Sequence, residues 1–155
     1  MDAPITTPDH HRALAVEANN ATWAQLTAVR EGTAGDRGVT GLVRGAYAAA
    51  YHWERATGYG PANEARARYL IGQAWLASGR PEVALDYGDR TMAACRDAGL
   101  GDFDLAYAHE LRARALGALG RHTESEEAWR AAKAVPIADP EDRAIVEADF
   151  ADAPV

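Results

Sequence analysis

Gly38, Gly79 and Gly120 stand 41 residues apart in this 155-residue chain, and each opens a segment that reads as a helix. The tripeptides Ala56-Thr57-Gly58 and Asp97-Ala98-Gly99 recur at the same interval, closing the first two of those helices. Self-similarity every few tens of residues marks a unit that cannot bury its apolar face alone and does so by stacking on its copies. The unit here is two helices. The expected fold is therefore all-α: an α-α solenoid of three antiparallel helix pairs with a C-terminal capping helix.

A pass along the chain gives those helices boundaries. Residues 1–8 hold two prolines and two threonines and read as a flexible leader, with 9–155 as a single helical domain. From Asp9, the positions Leu14, Val16, Ala21, Trp23, Leu26 and Val29 follow helical spacing. Leu42, Val43, Ala46, Ala49, Ala50 and Trp53 share one broad face of a second helix, which Gly58-Tyr59-Gly60-Pro61 is expected to stop. A third helix runs from about Ala62 to Ser78, and Gly79 supplies its left-handed turn. Pro81 falls in the first turn of the fourth, where a missing N–H costs nothing. Trp75 is expected in the core between these two, facing Ala84. Asp102 is placed to N-cap the fifth helix. Pro136 ends the sixth, and Asp139-Pro140 starts a short seventh carrying Ile145, Val146 and Phe150 on one side.

Composition narrows the function classes. A net charge of −7 repels a nucleic-acid backbone, and the arginines are interleaved with acids, so no nucleic-acid partner is expected. The single Cys95 rules out an internal disulfide and fits a reducing compartment. The N-terminus lacks the basic start and apolar run of a signal peptide, and no stretch approaches a membrane span. The expected location is the cytoplasm.

Two segments resemble the tetratricopeptide repeat (TPR). Ile71-Gly72-Gln73-Ala74-Trp75, then Ser78-Gly79 and Ala84, is similar to that repeat's L-G-x-A-Y…L-G…A pattern, with Gly88 where an aromatic residue is usual. The unit from Ala113 to Trp129 keeps Gly120 and the aromatic residue but carries Ser125 in place of alanine. The usual period is about 34 residues, so 41 implies longer second helices. A narrower resemblance rests on His52-Trp53, Pro61-x-Asn63-x-Ala65-Arg66 and Gly101-Asp102-Phe103-Asp104-Leu105-Ala106. This set is similar to a group of small stand-alone bacterial TPR-like proteins, and implies a fold rather than a reaction. Where that group often carries extra histidines, this chain has Arg44 and Tyr47, which argues against a shared metal role.

In such an architecture the first helix of each pair lines a concave side, and positions 41 apart lie side by side. Arg66 then neighbours Tyr107, Tyr69 neighbours Glu110, and Gln73 neighbours Arg114. Steps of three, four and seven keep each set on one helix face. Asn20 (or Asn19) and Trp23 reach the same groove from the first helix. Aromatic and arginine side chains at these positions favour a binding surface over a plain solvated face. The competing structural reading has the aromatics packing between helices and Arg66 pairing with Glu110 across the groove. One end of the groove gathers His52, Trp53, Asn63, Arg66 and Asp104, a set suited to acid–base work. Asp102, Asp104 and Asn63 are equally the residue types that cap helices.

Two functions follow as expectations. The first is a binding module whose groove holds a peptide or protein segment. The alternative is a small-molecule pocket, including a catalytic version that uses His52 with Asp104 and Arg66. Neither a metal nor a cofactor is expected, because no ligand spacing or phosphate-binding loop is present. A metal set would need His10 or His11 to join His52. Cys95, within a helix, reads as a small buried hydrophobe rather than a nucleophile.

Overall fold

The computed structural model describes residues 5–36 and 38–154. Among them are seven helices and no strand: α1 (Pro8–Arg30), α2 (Gly38–Trp53), α3 (Pro61–Ala77), α4 (Pro81–Ala98), α5 (Asp102–Ala118), α6 (His122–Ala134) and α7 (Pro140–Asp149). Sequence neighbours pack as α1 on α2, α3 on α4 and α5 on α6. Next-but-one neighbours also meet, α1 with α3, α3 with α5 and α5 with α7. This second set of contacts brings the odd-numbered helices together.

Small residues make the close packing feasible. Gly72 lies so near α5 that a Cβ there would stand 2.5 Å from Leu111 Cδ2 and 3.2 Å from Tyr87 Cβ. Ala84, Leu111 and Ala115 are fully buried beside it, with Trp75, Tyr69, Leu76 and Leu85 packed around them. A second cluster joins Leu26, Leu42, Ala46, Leu70, Ile71 and Ala74 across α1, α2 and α3. The third runs from Ala106 and Leu116 on α5 through Trp129 to Ile137, Val146 and Phe150, which seats α7. Ile145, expected on that apolar side, is instead 57 % exposed.

Several boundaries differ from those read in the sequence. α2 stops at Trp53, short of the Gly58 turn, and the second helices are not consistently the longer ones. α2 has 16 residues against 23 in α1, α4 has 18 against 17, and α6 has 13 against 17. The extra length of the first pair therefore lies in α1. Gly79 and Gly120 hold the same left-handed turn, at φ 74° and 75°. Gly38 does not share it. It begins α2, buried against Ala34 and Val29, while Gly32 and Gly35 take the left-handed positions of that loop. Of the expected leader, residues 1–4 lie outside the described residues, Thr7 caps α1 through the His10 N–H, and Pro8 begins the helix.

Asp102 also departs from its expected role. Gly101 occupies the N-cap position of α5, and Asp102 adopts φ 57°, a left-handed conformation that Asp tolerates better than most residues. Its carboxylate accepts from the Phe103 N–H at 2.9 Å and from the Ala138 N–H at 2.8 Å. It thus fastens the α6–α7 connection to the start of α5. No helix among the described residues is long and apolar enough to cross a membrane.

Candidate functional site

The next-but-one packing leaves a groove of about 810 Å³, open to solvent, between α1, α3, α5 and the C-terminal end of α7. Its wall follows from helical periodicity. Asn19, Trp23, Thr27 and Arg30 recur at steps of three and four on α1, as do Arg66 and Tyr69 on α3 and Asp104, Tyr107, Glu110 and Arg114 on α5. Phe103, Asp149 and Asp152 add to it, and Ala65, Leu76, Ala77 and Thr91 form its floor.

Aromatic rings cross the groove as a ladder, one rung per helix. Trp23 stands 6.1 Å from Tyr69, Tyr69 is 5.5 Å from Tyr107, and Tyr107 is 5.5 Å from Phe150 (all centroid to centroid). Phe150 continues to Trp129 at 5.1 Å, anchoring the ladder in the core. These separations fall in the range where ring pairs attract beyond simple burial.

A polar network runs beside the rings. Glu110, only 5 % exposed, accepts from the Tyr69 hydroxyl at 2.9 Å, from Gln73 Nε2 at 3.0 Å and from Arg114 Nε. Gln73 Nε2 also donates to the Tyr69 oxygen at 2.8 Å, and Gln73 Oε1 accepts from Arg30 at 2.6 Å. Burial, reinforced by the Glu110 charge, pushes the Tyr69 hydroxyl well above its ordinary pKa. Tyr69 is therefore a fixed donor at neutral pH. Burial and the Asp149 carboxylate, which accepts from it at 2.5 Å, likewise raise Tyr107.

Arg66 holds Asp104 with two bonds, 2.8 Å from Nε and 3.0 Å from Nη2, and its guanidinium lies 4.9 Å over Phe103. Hydrogen bonding to that carboxylate raises the already high pKa of Arg66. The sequence-based alternative paired Arg66 with Glu110. The geometry gives Arg66 to Asp104 and Glu110 to Arg114.

The remaining sequence candidates divide. Trp23, Arg66, Tyr69, Asp104, Tyr107, Glu110 and Arg114 line the groove, and Gln73 lies buried directly behind it. Asn20 is exposed and outside the lining, where Asn19 takes its place. Asn63 caps α3 by accepting from the Gly60 N–H at 3.1 Å. Trp53 lies beneath Arg12, 5.8 Å away, and does not reach the groove. Nor does His52, whose Nδ1 meets His11 Nδ1 at 2.8 Å. The acid–base set built on His52 is thus not assembled: α2 runs back along α1, so His52 near its C-terminus meets His11 at the start of α1 instead.

Sequence reasoning missed Arg30, Phe103, Asp149 and Asp152. Arg30 was findable, because it sits seven residues after Trp23 and therefore on the same face. Asp149 and Asp152 were not, since their arrival depends on how α7 folds back on α5. His10 carries its own cap bond with the Thr7 N–H. No group of three or more metal-ligating side chains occurs among the described residues. Cys95 is buried, and desolvation first, then Asp104, pushes its thiol up to about 11, which suits a packing role.

The His11–His52 contact has a measurable consequence. One shared proton satisfies both Nδ1 atoms, whereas two protons would oppose each other there. Burial, then His11 and Arg55, lowers the His52 pKa. Burial, then Arg112, lowers that of His109, whose Nδ1 has no partner. A depressed folded pKa means that the unfolded chain takes up the proton first. Stability contributed by both histidines is present above about pH 6.5, the unfolded value, and is lost as pH falls toward the folded values. Urea midpoints measured from pH 7.5 to 5 should fall, and His52→Gln should flatten part of that slope. An unchanged slope in the variant would contradict the pairing.

Comparison of the chain with known protein families, curated proteins and solved structures found no match.

Proposed function

We propose that this chain is a TPR-like helical-repeat binding module, cytoplasmic, whose concave groove holds a peptide or protein segment. The observation that carries this reading is the row of Trp23, Tyr69 and Tyr107 along the groove, flanked by Arg30, Arg66 and Arg114. The two steps of 6.1 and 5.5 Å match the reach of about three to four residues of extended chain, at roughly 3.3 Å per residue. Tyr, Trp and Arg are the residues that dominate binding energy at interfaces. The Glu110 network holds Tyr69 and Arg114, and Arg30 through Gln73, which lowers the ordering cost of binding.

The volume of about 810 Å³ also suits a small molecule, since such sites run from roughly 300 to 1,000 Å³. The row's extension across α1, α3 and α5 favours the longer ligand. The catalytic version of the small-molecule reading loses its base, because His52 lies outside the groove.

A library of randomised nonapeptides presented to the full-length protein tests the reading. Defined sequences should be enriched, and Arg66→Ala should reduce their binding at least tenfold. The same change should alter stability by about 1 kcal/mol, because Arg66 is itself 54 % exposed and its removal opens the Asp104 carboxylate to water. Enrichment that survives both Arg66→Ala and Trp23→Ala would place the binding surface elsewhere.

A further inference from the structure

We propose that the turn ending α7, which carries Asp149 and Asp152, is a built-in occupant of one end of the groove, and that the groove's partner is an acidic segment held by the same Arg114 and Tyr107 donors. This rests on the groove reading above. Arg114 Nη2 donates to the main-chain carbonyl of Asp152 at 3.1 Å and reaches that of Asp149 at 3.5 Å. Holding carbonyls is how a protein grips a peptide backbone irrespective of its sequence. Tyr107 adds a charge-reading contact, donating its hydroxyl to the Asp149 carboxylate.

Exposure identifies the sign of the partner. The two acids native to the groove wall are hidden behind their partners, Glu110 at 7 % side-chain exposure and Asp104 at 12 %. Arg66 is 54 % exposed and Arg114 24 %, and Arg30 is also exposed. Arg30 spends one nitrogen on Gln73, and Arg66 spends two on Asp104. The accessible charge of the wall is thus a row of arginines with donors to spare, on a chain whose net charge is −7. Asp149 and Asp152 bring acidic side chains into the groove from within the molecule, Asp149 through its bond with Tyr107.

The segment is held lightly. Phe150 is the last core side chain, and Ala151, Asp152 and Ala153 are exposed. Contacts of this exposed kind are individually weak, but a tethered segment competes at an effective concentration near millimolar. It should therefore weaken an acidic peptide's affinity without abolishing it.

The test uses the full-length chain and a fluorescein-labelled octapeptide with the sequence of residues 148–155. Asp149→Asn/Asp152→Asn weakens the internal segment while asparagine can still accept from Tyr107. The octapeptide should bind this variant at least tenfold more tightly than the unaltered chain. Adding Arg114→Gln should remove the gain. If the double variant loses helix signal in circular dichroism, Asp152→Asn alone carries the test, since that carboxylate is exposed. Equal affinity for the variant and the unaltered chain, or no binding to either, would overturn the proposal. Library peptides that still depend on Arg66 in that case would leave the groove reading standing, and their absence would remove both.

Discussion

Glu110→Ala is expected to lower the unfolding free energy by about 3–5 kcal/mol, the usual cost of removing one partner from a buried charge pair. Three donors lose their acceptor at once: the Tyr69 hydroxyl, Gln73 Nε2 and Arg114 Nε. Gln73 is 1 % exposed, so water does not readily replace the carboxylate there. Glu110→Gln retains one acceptor oxygen and should cost less. Urea denaturation of both variants checks the point. A loss below about 1 kcal/mol for Glu110→Ala would show that the network is solvated and that its residues are not fixed by it.

Leu111→Ala should be nearly as damaging, at about 3–4 kcal/mol, because Leu111 is fully buried where α3, α4 and α5 meet. Gly72→Ala alone should cost about 1–3 kcal/mol by overpacking, since its Cβ would press on Leu111 and Tyr87. The two changes together should cost less than their sum. The new methyl enters space that the leucine vacates, so the sites couple. Strict additivity in the double-mutant cycle would contradict the close approach of α3 and α5 on which the groove depends.

Periodicity made the helix count and the groove face legible. Leu26 and Leu42 are buried as their spacing required, although Leu14 and Val16 of the same pattern are exposed, and the 41-residue offset put Tyr69 beside Glu110, where they bond. The same offset placed His11 against His52, a pairing reached only as a metal option in the sequence. What failed was whatever depends on a helix end. Six apolar positions place the broad face of α2 but do not say that the helix stops five residues before Gly58. His52 and Trp53, at the end of α2, pack against His11 and Arg12 at the start of α1 rather than in the groove. Trp75 fills its repeat position beside Ala84, yet it is only half-buried, its indole N–H donating to the Tyr47 hydroxyl at 3.1 Å. Helical spacing reports which side a residue faces, but not whether a neighbouring helix extends far enough to cover it. Asp104 illustrates the same limit in polar terms. Its type and position suited a cap, and the partner that claimed it, Arg66, lies 38 residues away.

The claim that the odd-numbered helices form a binding groove is tested most directly by nuclear magnetic resonance on the full-length chain. An isotope-labelled sample would be titrated with a library-selected nonapeptide. Shifts should concentrate on the Trp23 indole, the Tyr69 and Tyr107 rings and the Arg66 and Arg114 guanidinium groups. Tyr51, exposed on α2 outside the groove, should stay unmoved. Shifts centred on α2 or α4 residues such as Tyr51 or Tyr87, with the Trp23–Tyr69–Tyr107 ladder unperturbed, would contradict it.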